Sequence, residues 1–266
     1  TGRPRLALAG VALGLAMAAK WNAAPLAVLP GIAFAAVRFR DAGWGALTSG
    51  RGAPVAGITI WEAALWLGLV PLAVYALTFI PAMFYAQDPL APTGLVALHR
   101  HMIELQEEVV QPHPYQSVWY QWMFDWRAIW FLYENVDGAQ RGILLVGNPL
   151  TMLLGLVAAV WAVVHGSEGR RDALALFVLY AVSLGAWIVA DKPVQFYYHY
   201  LLPGTFLMGM LALALDSLWR RGRKTMPLLV LAGSAGLFAF FWPILSAAPL
   251  AGPQSFAHWM WLDSWR

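Results

Sequence analysis

From Met226 to Leu245 the chain runs without one charged side chain, and several other stretches are nearly as apolar. About 20 residues of α-helix, rising about 1.5 Å each, cross the roughly 30 Å hydrocarbon core of a bilayer. Inside that core every backbone amide needs an internal partner, so such a run is helical. Comparable runs cover Ile58 to Tyr85, Gly142 to His165, Ala173 to Ala190 and Tyr200 to Leu218. Two shorter ones, Leu6 to Ala19 and Ala23 to Val37, flank Lys20-Trp21-Asn22. They read as two tilted spans with Lys20 at their turn; one long helix carrying a buried lysine, or a re-entrant pair, is the alternative. The expected fold is an all-α polytopic membrane protein, a single transmembrane domain over residues 1–266 with about seven transmembrane helices. An external loop of about residues 86–141 is its one long polar segment.

Composition agrees: 60% of the residues are hydrophobic and 12% charged, roughly half the charge of a soluble domain. The formal charge of +3 does not point to nucleic acid, because the basic residues sit in short clusters between apolar runs. Threading the runs puts Arg3/Arg5, Arg38/Arg40/Arg51, Arg170/Arg171 and Arg220/Arg221/Arg223/Lys224 on one side, which the positive-inside rule makes cytoplasmic. The opposite face then carries Lys20, the long loop, residues 191–199 and the C-terminal tail. With no cysteine there is no disulfide framework, thiolate or cysteine metal site. Many of the 15 tryptophans lie near run ends, as an interfacial belt requires.

In the loop, Leu98, Met102, Leu105 and Val109 recur at helical steps, with Arg100, Glu104, Glu107, Glu108 and Gln111 elsewhere on the wheel. That is an amphipathic surface helix, stopped by Pro112 and Pro114. The aromatic stretch from Trp119 to Tyr133 suits a second interfacial segment. His99, His101 and His113 do not suggest metal, since helix positions two apart point about 200° away from each other. Lys20 is either a cation for an anionic headgroup such as a lipid phosphate, or a lysine snorkelling from a short helix end. The turn from His113 to Trp119 reads first as a helix stop with interfacial anchors, and Tyr197 to Tyr200 as belt residues or a sugar-binding mouth. Gly10 and Gly14 form a G-x-x-x-G for close helix packing. Asn148-Pro149 inside a span predicts a kink. Phosphate-loop, nucleophile-elbow and zinc signatures are missing from the sequence.

Taken together and in order, four segments resemble the protein O-mannosyltransferase family. Gly10 to Trp21 resembles its G-x-x-x-G-L-A-x-x-x-K-W segment. His113-Pro114-Tyr115-x-Ser117, followed by Trp119, Trp122 and Arg127, resembles its H-P-Y-x-S loop. Gly147-Asn148-Pro149 resembles the G-N-P that opens the following helix, and Phe196 to Pro203 its F-x-x-H-Y-x-x-P stretch. The chain departs from the pattern where Met123 and Ala128 replace prolines and Gln106 replaces a histidine, which leaves the sugar and the acceptor open.

The resemblance implies the C-terminal part of a multi-span glycosyltransferase. Such an enzyme moves a mannosyl unit from a polyprenyl-phosphate donor to Ser or Thr hydroxyls of exported proteins, without a cofactor. Its expected partners are the polyprenyl-phosphate sugar, the exported acceptor protein and membrane lipid. The family's catalytic acidic residue lies in the first external loop. With Thr1 in place of Met and no signal-peptide pattern after it, the chain reads as a fragment whose catalytic carboxylate lies upstream. The fragment alone would be inactive, and none of Asp125, Glu134, Asp137 or Asp191 inherits that role. Lys20 and Arg127 are the expected donor-phosphate contacts. Trp21, His113, Tyr115, Ser117, Trp119, Trp122, His199 and Tyr200 are expected to shape the donor and acceptor pocket. The loop lacks the sugar-binding module of eukaryotic members, which implies a bacterial plasma membrane with the active face outside. A lipid-sugar transferase with a non-protein acceptor, a flippase and a non-catalytic lipid-binding subunit are the competing classes.

Overall fold

The computed structural model describes residues 2–108, 111–190 and 192–266. Thr1, Val109, Val110 and Asp191 lie outside that description, and with them the Val109 and Asp191 positions singled out above. The chain forms two compact units, Thr1–Glu108 and Val109–Arg266, divided within the expected external loop. Among the described residues six helical segments are long and apolar enough to cross a membrane, at 21–47, 60–84, 149–167, 171–189, 197–220 and 225–245. The difference from the expected seven is the first helix, whose opening turn carries Arg3 and Arg5.

In the first unit, α1 (Gly2–Ala19) stops where Lys20 turns extended, at φ −164° and ψ 134°. The chain breaks at Lys20, as the reading of two shorter runs requires. A 3-10 turn (Trp21–Ala23), α2 (Ala24–Ala27) and α3 (Leu29–Ala42) follow. The next helix is in three parts: α4 (Ile60–Ala64), a π turn (Leu65–Leu69) and α5 (Val70–Leu77). Thr59 caps it by accepting the Glu62 amide at 3.1 Å. Pro71 has no N–H to give the preceding turn, which widens into the π segment just before it. α1 lies against this helix through Gly10 and Gly14. A Cβ on Gly10 would stand 2.1 Å from the Trp66 carbonyl oxygen, and one on Gly14 2.6 Å from that of Pro71. Arg38, expected as a loop charge, is fully buried. Its guanidinium donates to the carbonyls of Val55 (2.8 Å), Ile58 (2.7 Å) and Arg51, tying down the glycine-rich loop. The amphipathic helix is α6 (Leu95–Glu107), with Leu95, Leu98, His99 and Met102 half-buried along one stripe, while Leu105, expected on that stripe, is exposed.

The second unit opens with α7 (Trp119–Met123). The stretch after it corrects two expectations. Residues 129–145 form an antiparallel hairpin, β1 (Ile129–Val136) and β2 (Ala139–Leu145), where the sequence reading had an interfacial segment and the start of a span. Asp137 and Gly138 turn it with φ of 53° and 76°, the geometry a two-residue hairpin loop needs. A bulge at Phe131 shifts the register from Trp130↔Leu144 to Leu132↔Ile143. Asn148-Pro149 makes no kink. Asn148 caps α8 (Pro149–Ser167) through the Thr151 amide at 3.3 Å, and Pro149 takes the first helical position, where no N–H is missed.

α9 (Arg171–Val189) and α10 (Leu201–Arg220) pack with α8 around Ala158, Ala162, Tyr180, Leu207 and Met210, and α11 (Thr225–Leu245) follows. The tail after α11 folds onto the hairpin. Phe241, Ile244 and Trp265 share a core with Ala128 and Leu144, and Leu250 bridges to Gln140.

Filling the α1 contact should cost stability. Gly14→Leu is expected to destabilise the first unit by about 1–3 kcal/mol through overpacking. Gly31→Ala, whose added Cβ meets nothing nearer than 3.9 Å, should leave the melt unchanged. Thermal unfolding of the detergent-solubilised chain distinguishes them; equal melting temperatures would refute the close packing.

Candidate functional site

Three segments far apart in sequence come together in the second unit: His113–Ser117, Gly147–Pro149 and Phe196–Tyr200. The helix stop after α7 sets the junction. The Asp125 amide donates to the Trp122 carbonyl at 3.2 Å and the Trp126 amide to that of Gln121 at 2.8 Å, the paired bonds of a Schellman ending. Asp125 fills its left-handed position, at φ 53°, which aspartate tolerates better than most residues. From there the carboxyl Oδ1 accepts the Gly147 amide at 2.9 Å, and the Tyr197 hydroxyl stands beside the same group. Oδ2 is buried without a hydrogen-bond partner of normal geometry among the described residues. The Asp125 carbonyl accepts the Trp265 indole at 2.7 Å.

Around this junction the aromatic residues interlock. The Trp122 indole, fully buried, donates to Ser117 Oγ at 2.8 Å, while the Ser117 amide donates to the Gln195 carbonyl at 2.8 Å. His199 is 2% exposed and lies 3.9 Å, ring to ring, from Trp187. Tyr200 and Tyr180 share a hydroxyl–hydroxyl bond of 2.9 Å. At the surface, the His113 ring meets Phe196 edge-on at 5.1 Å, and its Nδ1 accepts the Tyr115 amide at 3.1 Å. Arg127 donates to the Pro114 carbonyl and so clamps this turn. A cleft of about 320 Å³ adjoins the junction, walled by Gly147, Asn148, Thr151, Tyr197, Tyr200 and Thr205 among apolar neighbours.

Lys20 and Trp21 belong to the first unit and have their own neighbours there. The Trp21 indole donates to the Tyr75 hydroxyl at 2.7 Å, and Tyr75 meets His99 Nε2 at 2.5 Å. His99 Nδ1 faces the Leu95 carbonyl at 2.6 Å. The chain is consistent with one set of protons: indole to phenol, phenol to Nε2, and Nδ1–H to the carbonyl. Trp21 also stacks on His99 at 5.4 Å. Lys20 itself is exposed on its extended segment.

A family profile described as the C-terminal four TMM region of protein-O-mannosyltransferase matches residues 92–168. Across 97% of its length the chain is 26% identical to polyprenol-phosphate-mannose--protein mannosyltransferases of Mycolicibacterium smegmatis and Mycobacterium tuberculosis. The chain is similar to protein O-mannosyltransferases over most of its length. It spans 57% of the smegmatis protein and 56% of the tuberculosis protein, so it corresponds to the C-terminal part of such proteins. No solved structure matches the chain.

The family's motif residues in the second unit therefore divide by position. His113, Tyr115 and Trp119 are at or near the surface, Tyr200 walls the cleft, and Ser117, Trp122 and His199 are internal ties. The sequence reading missed Asp125 as a junction, Tyr197 as its neighbour, and Tyr75 and His99 as partners of Trp21. His99 was legible as a polar residue on the inward stripe of an amphipathic helix. Asp125 had no such signal, since only the turn geometry aims it inward.

Burial pushes the Asp125 carboxyl up from 3.8 to about 6, against the Gly147 amide and the Tyr197 hydroxyl, which pull it down. The native state thus holds this proton more tightly than the unfolded chain does. Its stabilising effect is complete below about pH 4 and is lost as pH rises through 6, ~3 kcal/mol in all. Asp125→Asn keeps an acceptor for Gly147 without the charge. Its melting temperature should therefore not show the decline between about pH 4 and pH 7 expected of the parent. An unchanged pH slope in the variant would contradict this burial.

Proposed function

We propose that this chain is the donor- and acceptor-binding C-terminal part of a membrane glycosyltransferase. The enzyme moves a mannosyl unit from a polyprenyl-phosphate donor to Ser or Thr hydroxyls of exported proteins. The observation that carries the reading is the meeting of three family motifs, His113–Ser117, Gly147–Pro149 and Phe196–Tyr200, on one junction beside a cleft. The setting is a bacterial plasma membrane, with the motif-bearing loops on the outer face.

The reaction is a single displacement with inversion at the anomeric carbon. A carboxylate takes the acceptor proton while cations hold the departing lipid phosphate. Lys20, exposed at a helix break, is the donor-phosphate contact. Arg127 is the weaker candidate for such a contact, because part of its guanidinium already donates to the Pro114 carbonyl. His113, Tyr115 and Trp119 supply surface for the acceptor and the sugar, whose apolar face stacks on aromatic rings. Asp125 is 3% exposed, so it acts on the site by holding Gly147 and Tyr197 and is not the base.

The test uses membranes of cells expressing the gene in its genomic context, supplied with radiolabelled polyprenyl-phosphate mannose and a Ser/Thr-rich peptide. Label should enter the peptide, and Lys20→Met should lower the rate by about ten-fold or more, the effect of losing a charge-assisted phosphate contact. An unaltered rate in that variant would remove Lys20 from the donor site. Label confined to lipid would replace the protein acceptor with a non-protein one.

A further inference from the structure

At the end of the second unit opposite the aromatic junction, two short helix connections carry a cluster of basic side chains. Arg170 and Arg171 close the α8–α9 turn, and Arg220, Arg221, Arg223 and Lys224 the α10–α11 turn. Only Glu168, Asp172 and Asp216 offset them. Arg170 pairs with Asp172 at 3.2 Å and Arg220 with Asp216 at 2.7 Å. The Arg221 side chain has neither an ion pair nor a hydrogen bond among the described residues.

Two clefts adjoin here and share Ser217 and Arg221 as walls. One, of about 460 Å³, is polar, bounded by Arg170, Asp172, Asp216, Arg220 and Arg221. The other, of about 380 Å³, is lined mainly by apolar side chains of α8, α10 and α11, among them Leu154, Val157, Trp161 and Ala214. Trp161 connects them. Its indole lies under the Arg170 guanidinium at 4.9 Å while lining the apolar cleft, and it stacks on His165 at 4.7 Å.

A charged mouth that continues into an apolar floor fits an amphiphile with an anionic head. A free anion would leave the floor unused, and a neutral lipid would leave the arginines unused. Guanidinium groups take phosphate oxygens in pairs, and basic pockets between helices on the positive side of a membrane suit acidic headgroups. We propose that an anionic phospholipid binds in this double cleft. Its phosphate lies between Arg221 and Arg170, and one acyl chain runs past Trp161 along α8, α10 and α11. The site is independent of the glycosyl-transfer reading.

The test is native mass spectrometry of the detergent-solubilised full chain titrated with phosphatidylglycerol or phosphatidylcholine. Phosphatidylglycerol should be retained about five-fold or more over phosphatidylcholine, and Arg221→Gln should remove about five-fold of that preference. Arg221 is exposed, so the variant should melt as the parent does. Val157→Trp, at a position 66% exposed that lines the apolar cleft, should weaken phosphatidylglycerol retention with Arg221 intact. Equal retention of the two lipids, an Arg221→Gln variant with undiminished preference, or a Val157→Trp variant with undiminished retention would overturn the proposal. So would displacement of phosphatidylglycerol by millimolar inorganic phosphate, which would mark a simple anion site.

Discussion

The second unit depends on one buried carboxyl. Asp125 ends α7 in a left-handed conformation and, from that position, binds the Gly147 amide, neighbours the Tyr197 hydroxyl and offers its carbonyl to Trp265. Gly147 precedes the cap of α8, and Tyr197 lies in the turn that leads into α10. The starts of two membrane helices and the C-terminal tail are thus fixed to one residue. Burying that carboxyl has a desolvation cost. The return is a fixed geometry at the place where three family motifs meet.

Elsewhere indole groups supply much of what regular structure would. Trp130 donates to the Trp265 carbonyl at 3.0 Å, Trp259 to that of Phe240 at 2.7 Å, and Trp21 begins the chain through Tyr75 to His99. Non-repetitive backbone leaves carbonyls without ladder partners, and a long side chain with one donor and a large apolar body can satisfy them while filling space. The hairpin benefits as well. Its Gln140 edge pairs with Leu250, and Arg141 donates to the Ala247 carbonyl at 2.7 Å, so the tail covers what would be an open strand edge.

The spans were legible because charge is excluded from hydrocarbon, a constraint written directly in composition. The break at Lys20 and the α1 contact at Gly10 and Gly14 were equally readable, since each is a local pattern. So was the existence of α6, although its half-buried stripe takes Leu95 and His99 with Leu98 and Met102 and leaves Leu105 exposed. The hairpin was hidden because its apolar strand Ile143-Leu144-Leu145 runs on into the residues before α8 and reads as one long span. Its signal, Asp137-Gly138 between β-rich flanks, is present in the sequence but was not read as a turn. Asn148-Pro149 was ambiguous for the same reason: a cap and a kink share the dipeptide, and only the position of the helix start decides. Arg38 and Asp125 were beyond sequence reading, because loop closure and turn handedness determine whether a charged side chain points outward or inward.

The most direct test of the account is photolabelling with a polyprenyl phosphate carrying a photoactivatable group beside its phosphate, followed by mapping of the labelled peptides. Label is expected in the surface motif segments, around Lys20 and within residues 113–127 and 196–205. Label that is competed by unmodified polyprenyl phosphate yet falls only elsewhere would contradict the proposal that these segments contact a lipid-phosphate sugar.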